Sequence, residues 1–113
     1  MANQISPTEA ARLLYGKGNA LLPTVSLIDV RDADAFAREH LPGASHSDYQ
    51  RQIDLLERIT TAPPATKQLV FVCYAGVRSG RVAQIAASKG FTAVSIAGGV
   101  HAWHEAGLPI VRS

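Results

Sequence analysis

Nucleophilic chemistry needs a side chain that can attack, and Cys73, the only cysteine among the 113 residues, is the strongest candidate in this sequence. Arg78 follows it with four residues between the two, and Gly76 is one of those four. A glycine lets a short loop adopt backbone angles closed to other residues, so the loop can wind around the cysteine. Its N–H groups and the Arg78 guanidinium would favour a thiolate and suit an oxyanion such as thiosulfate. The residue types alone leave two interpretations open, a reactive thiolate and a small buried cysteine.

The position of this loop depends on the strand before it and the helix after it. Residues 68–72, with the apolar run Leu-Val-Phe-Val, predict a buried strand, and residues 79–89 predict a helix with an alanine-rich inner face. Parallel sheets place their sites where strand ends meet helix N-termini, because free N–H groups and the helix dipole point there. Asp29 and Arg31 end another apolar run, residues 25–30, at the same expected edge. We expect them either to orient the cysteine loop or to form a structural ion pair.

The rest of the chain alternates between the same two kinds of element. Ser6, Pro7 and Glu9 have the spacing of a helix start with a capping box. Such alternation of short apolar strands with helices predicts an α/β fold, in which a mostly parallel sheet is covered on both faces. The further predicted elements are a short helix at 32–40, a helix at 48–60 ended by Ala62-Pro63-Pro64, a strand at 93–96 and a last helix with Trp103 in the core.

Composition is that of an ordinary globular chain, with 47% hydrophobic residues, 18% charged residues and a net charge of +2. This length predicts a single domain over residues 1–113. The charged residues form no basic run, so no nucleic-acid partner is expected. No apolar run is long enough to span a bilayer, and the first residues do not resemble a signal peptide. With a lone thiol that fits a reducing compartment, these features predict a cytoplasmic protein.

Metal binding is the other chemistry to consider, because His101 and His104 would share one face of the last helix. A structural or catalytic metal needs at least a third protein ligand, and none is evident near this pair. We therefore expect no metal and no other cofactor.

Three segments of the sequence stand out as possible signatures. They are Leu27-Ile28-Asp29-Val30-Arg31 with Phe36 and His40-Leu41-Pro42-Gly43-Ala44, then Cys73-x-x-Gly76-x-Arg78-Ser79, then Gly98-Gly99 with Ala102-Trp103 and Gly107-Leu108-Pro109. Together they resemble the signatures of rhodanese-like sulfurtransferases, in the family's order and roughly its spacing. The chain departs from the family's usual pattern at Val100, where tryptophan is frequent, and at Ala35 and Glu39, before the first signature's histidine. These positions should not touch the sulfur.

The resemblance implies a three-layer α/β/α fold with a five-stranded parallel sheet. It also implies that Cys73 is the catalytic residue, taking a sulfane sulfur from thiosulfate, a polysulfide or a persulfide and passing it to a thiol, cyanide or an acceptor protein. A non-enzymatic binding or sulfur-carrier module is the alternative. A cysteine phosphatase or arsenate reductase is less favoured, because those enzymes have a cysteine-to-arginine loop one residue longer. The substrate-binding residues are expected to be Tyr74, Ala75, Gly76, Val77, Arg78 and Ser79.

Overall fold

A computed structural model describes residues 3–60 and 67–112. The strands are β1 (Gln4–Ile5), β2 (Val25–Asp29), β3 (Glu39–His40), β4 (Ser45–His46), β5 (Gln68–Val72), β6 (Ala93–Ile96) and β7 (Val111–Arg112). Five of them form the main sheet in the order β1-β6-β5-β2-β4, in which every neighbouring pair is parallel. The predicted α/β class and five-stranded parallel sheet are thereby confirmed.

Helices cover both faces of this sheet. The helices are α1 (Pro7–Tyr15), α2 (Ala33–Arg38), α3 (Tyr49–Glu57), α4 (Val77–Ser88) and α5 (Gly99–Glu105). α1 and α5 share one core cluster with alternate residues of β2, β5 and β6, whereas α3 and α4 share the second cluster with the opposite residues. Alternation follows from the strand period of two, which sends Val70 and Val72 to the first face and Phe71 to the second. None of the helices in the described residues is long and apolar enough to cross a membrane.

Local signals account for several element boundaries. Ser6 caps α1 with the reciprocal bonds to Glu9 that the capping-box spacing predicts. Trp103 is fully buried in the core as predicted, and its ring N–H donates to the Pro109 carbonyl at 2.7 Å. Tyr15 donates its hydroxyl to the Pro42 carbonyl at 2.7 Å, and burial raises the pKa of Tyr15 above its ordinary value.

Other boundaries differ from the predictions. The helix expected at 32–40 ends at Arg38, because Glu39 and His40 instead pair antiparallel with β7. The helix expected at 79–89 begins two residues earlier, at Val77. The helix expected at 48–60 spans Tyr49–Glu57, and the Ala62-Pro63-Pro64 signal predicted to end it lies outside the described residues.

Parallel pairing brings the functional segments to one edge. β5 lies between β2 and β6, so Cys73 leaves the centre of the sheet, flanked by the ends of two other strands. The Val30 N–H donates to the Val72 carbonyl at 2.9 Å, which continues the β2–β5 pairing up to the cysteine. The carboxyl edge of the sheet is therefore the place where the predicted site residues meet.

Candidate functional site

Cys73 lies at the bottom of a cradle formed by the following loop and the first turn of α4. Its Sγ accepts hydrogen bonds from the backbone N–H of Gly76 at 3.2 Å and of Ser79 at 3.3 Å. The side chain is only 3% exposed, so these donors act in surroundings with little competing water. N–H groups of a helix's first turn have no partner within the helix, and they favour a negatively charged sulfur. The geometry thus suits a thiolate.

Gly76 makes this tight loop possible. Its φ of 93° lies in the region that favours glycine, and it is the N-cap of α4. A side chain there would also crowd the neighbouring segment, since a Cβ would lie 3.0 Å from the Gly98 backbone nitrogen and that backbone would have to move by a few tenths of an ångström. The Gly80 N–H donates to the Gly76 carbonyl at 3.0 Å, so the turn that contains the N–H donors to Sγ is also the first turn of α4.

The first turn of α5 packs against the cysteine loop and donates hydrogen bonds to it. The Val100 N–H donates to the Cys73 carbonyl at 2.9 Å, and the His101 N–H donates to the Tyr74 carbonyl at 3.0 Å. Only a glycine fits at position 99, because a Cβ would overlap both of those carbonyl oxygens and lie 2.6 Å from the Tyr74 carbonyl carbon. The sequence contained a signal for this contact, a Gly-Gly pair one residue after a buried strand, but which loop the pair contacts depends on the tertiary fold.

Ser79 contributes its backbone rather than its side chain. Its hydroxyl lies 2.7 Å from the hydroxyl of Ser95 in β6, and both residues are fully buried. The N–H of Ser79 is therefore directed at the sulfur while its side chain is bonded to the sheet. Sequence reasoning missed Ser95, since a serine in an apolar strand has no visible partner until the packing of α4 on β6 is known.

Asp29 and Arg31 form a buried bidentate ion pair. The Arg31 guanidinium donates to the Asp29 carboxylate at 2.8 Å and 3.0 Å, and it also donates to the Glu39 carbonyl at 2.6 Å. His46 lies 2.7 Å from the Arg31 carbonyl oxygen through its Nε2. Within the part of the chain that the structure describes, neither Asp29 nor Arg31 has a hydrogen bond to the cysteine loop. Their bonds hold the connection between β2 and β3, which forms one wall beside the site.

The rim of the cradle consists of exposed loop residues. Val77 is 78% exposed and Tyr74 is 56% exposed, with the Tyr74 ring tilted against that of His101 at 5.7 Å between centroids. Ala75 and Arg78 are exposed as well. On one side of the loop lies a cavity of about 860 Å³, and the Gln4 side chain donates to the Gly76 carbonyl at 3.3 Å there. On the other side lies a cavity of about 460 Å³, lined by Arg31, Asp32, Ala35, Arg38, Glu39, Tyr74 and Arg78.

The two histidines of α5 have carboxylate neighbours. His104 donates to Glu39 at 2.7 Å, and Arg112 donates to the same carboxylate at 3.1 Å. These hydrogen bonds, with that of His104 the stronger influence, hold the pKa of Glu39 below its usual range. His101 lies 3.7 Å from Glu105. Across residues 3–60 and 67–112, no group of three or more histidine, cysteine, aspartate or glutamate side chains is arranged to hold a metal ion.

The chain is similar in sequence and in fold to known proteins. The chain is 35% identical over 88 residues to the thiosulfate sulfurtransferase GlpE of Vibrio cholerae, covering 77% of this chain and 79% of that protein. It is 32% identical over 108 residues to the protein of the same name from Actinobacillus pleuropneumoniae, covering 95% and 91% of the two chains. A rhodanese-related protein from Thermoplasma volcanium has the same fold, with a TM-score of 0.75 at 17% identity over 96% of each chain. The family model described as the rhodanese-like domain matches residues 6–106, and this chain therefore belongs to the rhodanese-like domain family.

Proposed function

We propose that this protein is a sulfurtransferase that carries a sulfane sulfur as a persulfide on Cys73. The single observation that supports it most is the pair of N–H groups, from Gly76 and Ser79, directed at a buried Sγ. Relatives that are 35% and 32% identical are named thiosulfate sulfurtransferases, which makes thiosulfate the first donor to test. A chain with one thiol has no partner for an internal disulfide, and such a thiol persists best in the reducing cytoplasm.

In the first half-reaction, the Cys73 thiolate attacks the outer sulfur of thiosulfate. A new S–S bond forms, the S–S bond of thiosulfate breaks, and its electron pair leaves on sulfite. Polysulfides and persulfides would react in the same way, with a shorter polysulfide or a thiolate as the leaving group. The Arg78 guanidinium, exposed at the rim, supplies a cation for the departing sulfite.

In the second half-reaction, a thiolate or cyanide attacks the outer sulfur of the persulfide. The Cys73 thiolate leaves, and the acceptor departs as its own persulfide or as thiocyanate. Between the two steps the persulfide anion needs donors, and the loop has several. The N–H groups of Ala75, Val77 and Arg78 have no acceptor among the described residues, so they are free to bind the outer sulfur.

The loop length bears on the rival chemistry of phosphate or arsenate. Four residues separate Cys73 from Arg78, and Gly76 brings the loop close enough for its N–H to bond to Sγ itself. Donors that close to one sulfur atom serve a persulfide better than a tetrahedral oxyanion, which would need the loop to open. We therefore favour sulfur transfer over phosphate hydrolysis.

Intact mass spectrometry tests the proposal. Wild-type protein incubated with thiosulfate should gain the mass of one sulfur atom, and cyanide should remove it. The matched control is Cys73→Ser, which keeps the size of the side chain and should gain nothing. Failure of the wild-type protein to gain sulfur from either thiosulfate or polysulfide would contradict the proposal and favour a non-enzymatic binding module.

A further inference from the structure

The cavity of about 460 Å³ next to the cysteine loop, here named the arginine pocket, is lined by the residues given above and contains three guanidinium groups. We propose that it binds the carboxylate of a small acceptor thiol, with Arg38 as a specificity-determining residue. This inference rests on the proposed sulfurtransferase function, because it concerns the second half-reaction at the same cysteine.

The charges in the arginine pocket are not all available to a ligand. Arg31 is neutralised by its buried pair with Asp29 at 2.8 Å. The carboxylate of Glu39 is likewise occupied by His104 and Arg112. Arg38 and Arg78 have no ion-pair partner within 4.0 Å among the described residues, and both are exposed.

Among the residues that line the arginine pocket, Asp32 is the one carboxylate that remains to oppose Arg38 and Arg78. It is exposed, and although it is the N-cap of α2, its side chain caps no N–H. Two free cations against one carboxylate leave the pocket with a net charge of +1. A ligand with a carboxylate is therefore attracted, and two guanidinium groups offer it charge-assisted hydrogen bonds.

The size and position of the pocket point to the acceptor rather than to thiosulfate. Thiosulfate carries its charge on atoms next to the sulfur that it delivers, so it needs hydrogen-bond donors close to Sγ, where the N–H groups of Gly76 and Ser79 lie. Arg38 belongs to a different element, the last residue of α2, and a cavity of about 460 Å³ is far larger than thiosulfate needs. That volume falls in the range that binds whole small organic ligands. A mercaptocarboxylate or short peptide thiol could place its carboxylate there and its sulfur above Cys73.

The transfer step balances without another reactant. The acceptor thiol gives its proton to solvent, and its thiolate forms a bond to the outer sulfur of the persulfide. The S–S bond to Cys73 breaks, its electron pair returns to the Cys73 thiolate, and the acceptor leaves as a persulfide anion.

The experiment measures the second half-reaction of the full chain after loading with thiosulfate, using mercaptosuccinate as the anionic acceptor and 2-mercaptoethanol as the neutral one. Arg38→Ala should raise the KM for mercaptosuccinate by about five-fold, the effect of losing one partly exposed ionic contact, and leave that for 2-mercaptoethanol unchanged. Asp32→Asn should lower the KM for mercaptosuccinate, since it removes the opposing charge. Arg12→Ala, on the exposed side of α1, is the matched control and should change neither.

Three results would overturn the inference. Arg38→Ala could change both acceptors equally, which would assign Arg38 a structural role, or it could change neither. It could also slow loading by thiosulfate instead, which would place the donor in the pocket. Failure of the proposed function itself is seen earlier and separately, as the absence of any sulfur adduct before an acceptor is added.

Discussion

Replacing Gly99 with alanine should lower the free energy of unfolding far more than replacing Gly107, although both glycines have a positive φ. Gly99 has a φ of 61° and Gly107 a φ of 71°, so the backbone strain of an added side chain is nearly the same, about 1–2 kcal/mol. The surroundings differ. A Cβ at Gly107 would meet no atom within 4 Å, whereas a Cβ at Gly99 would overlap the carbonyl oxygens of Cys73 and Tyr74.

The extra cost at Gly99 comes from the contacts that must move apart. Separating α5 from the cysteine loop would break the hydrogen bonds from Val100 and His101 to those two carbonyls. Each bond contributes about 1 kcal/mol net, and more if the buried carbonyl is left without a partner. Gly99→Ala should therefore cost about 3–5 kcal/mol, and Gly107→Ala only about 1–2 kcal/mol.

Urea denaturation of the two variants measures these costs as free energies of unfolding. Gly99→Ala should also slow sulfur loading of Cys73 from thiosulfate, because the moved loop no longer holds the N–H groups of Gly76 and Ser79 on the sulfur. Gly107→Ala should load at the wild-type rate. Equal destabilisation by the two substitutions would refute the close approach of α5 to the loop.

Further predictions concern the groups behind and beside the sulfur. Ser95→Ala should lower the free energy of unfolding by about 1–3 kcal/mol, because it leaves the buried Ser79 hydroxyl without a partner. It should also slow the alkylation of Cys73 by iodoacetamide. An unchanged alkylation rate would show that the serine pair does not position the Ser79 N–H. Asp29→Ala should lower the free energy of unfolding, measured by urea denaturation, by about 3–5 kcal/mol, because it leaves the Arg31 charge buried and unpaired. A decrease of less than about 1 kcal/mol would contradict this role of the ion pair. The lowered pKa of Glu39 means that its ionised form stabilises the fold above its unfolded pKa of about 4.3, and that this contribution is lost as pH falls through the folded value. Wild type should therefore exceed Glu39→Gln in urea midpoint at neutral pH, with the difference shrinking below about pH 4; a difference independent of pH would contradict the assignment.

The sequence contained enough information for the central elements and for the nucleophile. The bounds of β5 were predictable, because four consecutive apolar residues after Gln68 mark a strand buried on both faces. The edge strands β1 and β4 were not, since two residues show no alternation and pair only because a neighbour lies beside them. Local propensity predicts that the helix extends through Glu39, whereas its pairing with β7 is a contact with a segment far away in sequence.

The candidate site divides in the same way. The strand–cysteine–glycine–arginine order predicted the cradle and its N–H donors, which are local. The Ser79–Ser95 pair, the packing of Gly99 on the loop and the juxtaposition of Arg38 with Arg78 join segments far apart in sequence. Their meaning depends on register and helix placement, which no local pattern contains.

Storage of the sulfur between two separate steps is the central claim, and a single-turnover experiment tests it most directly. The protein would be incubated with thiosulfate, freed of all small molecules by gel filtration, and then mixed with cyanide alone. A persulfide on Cys73 predicts one thiocyanate per loaded cysteine, with the protein mass returning to its starting value. Thiocyanate that forms only when thiosulfate and cyanide are present together, with none from the filtered protein, would contradict a sulfur-carrying cysteine.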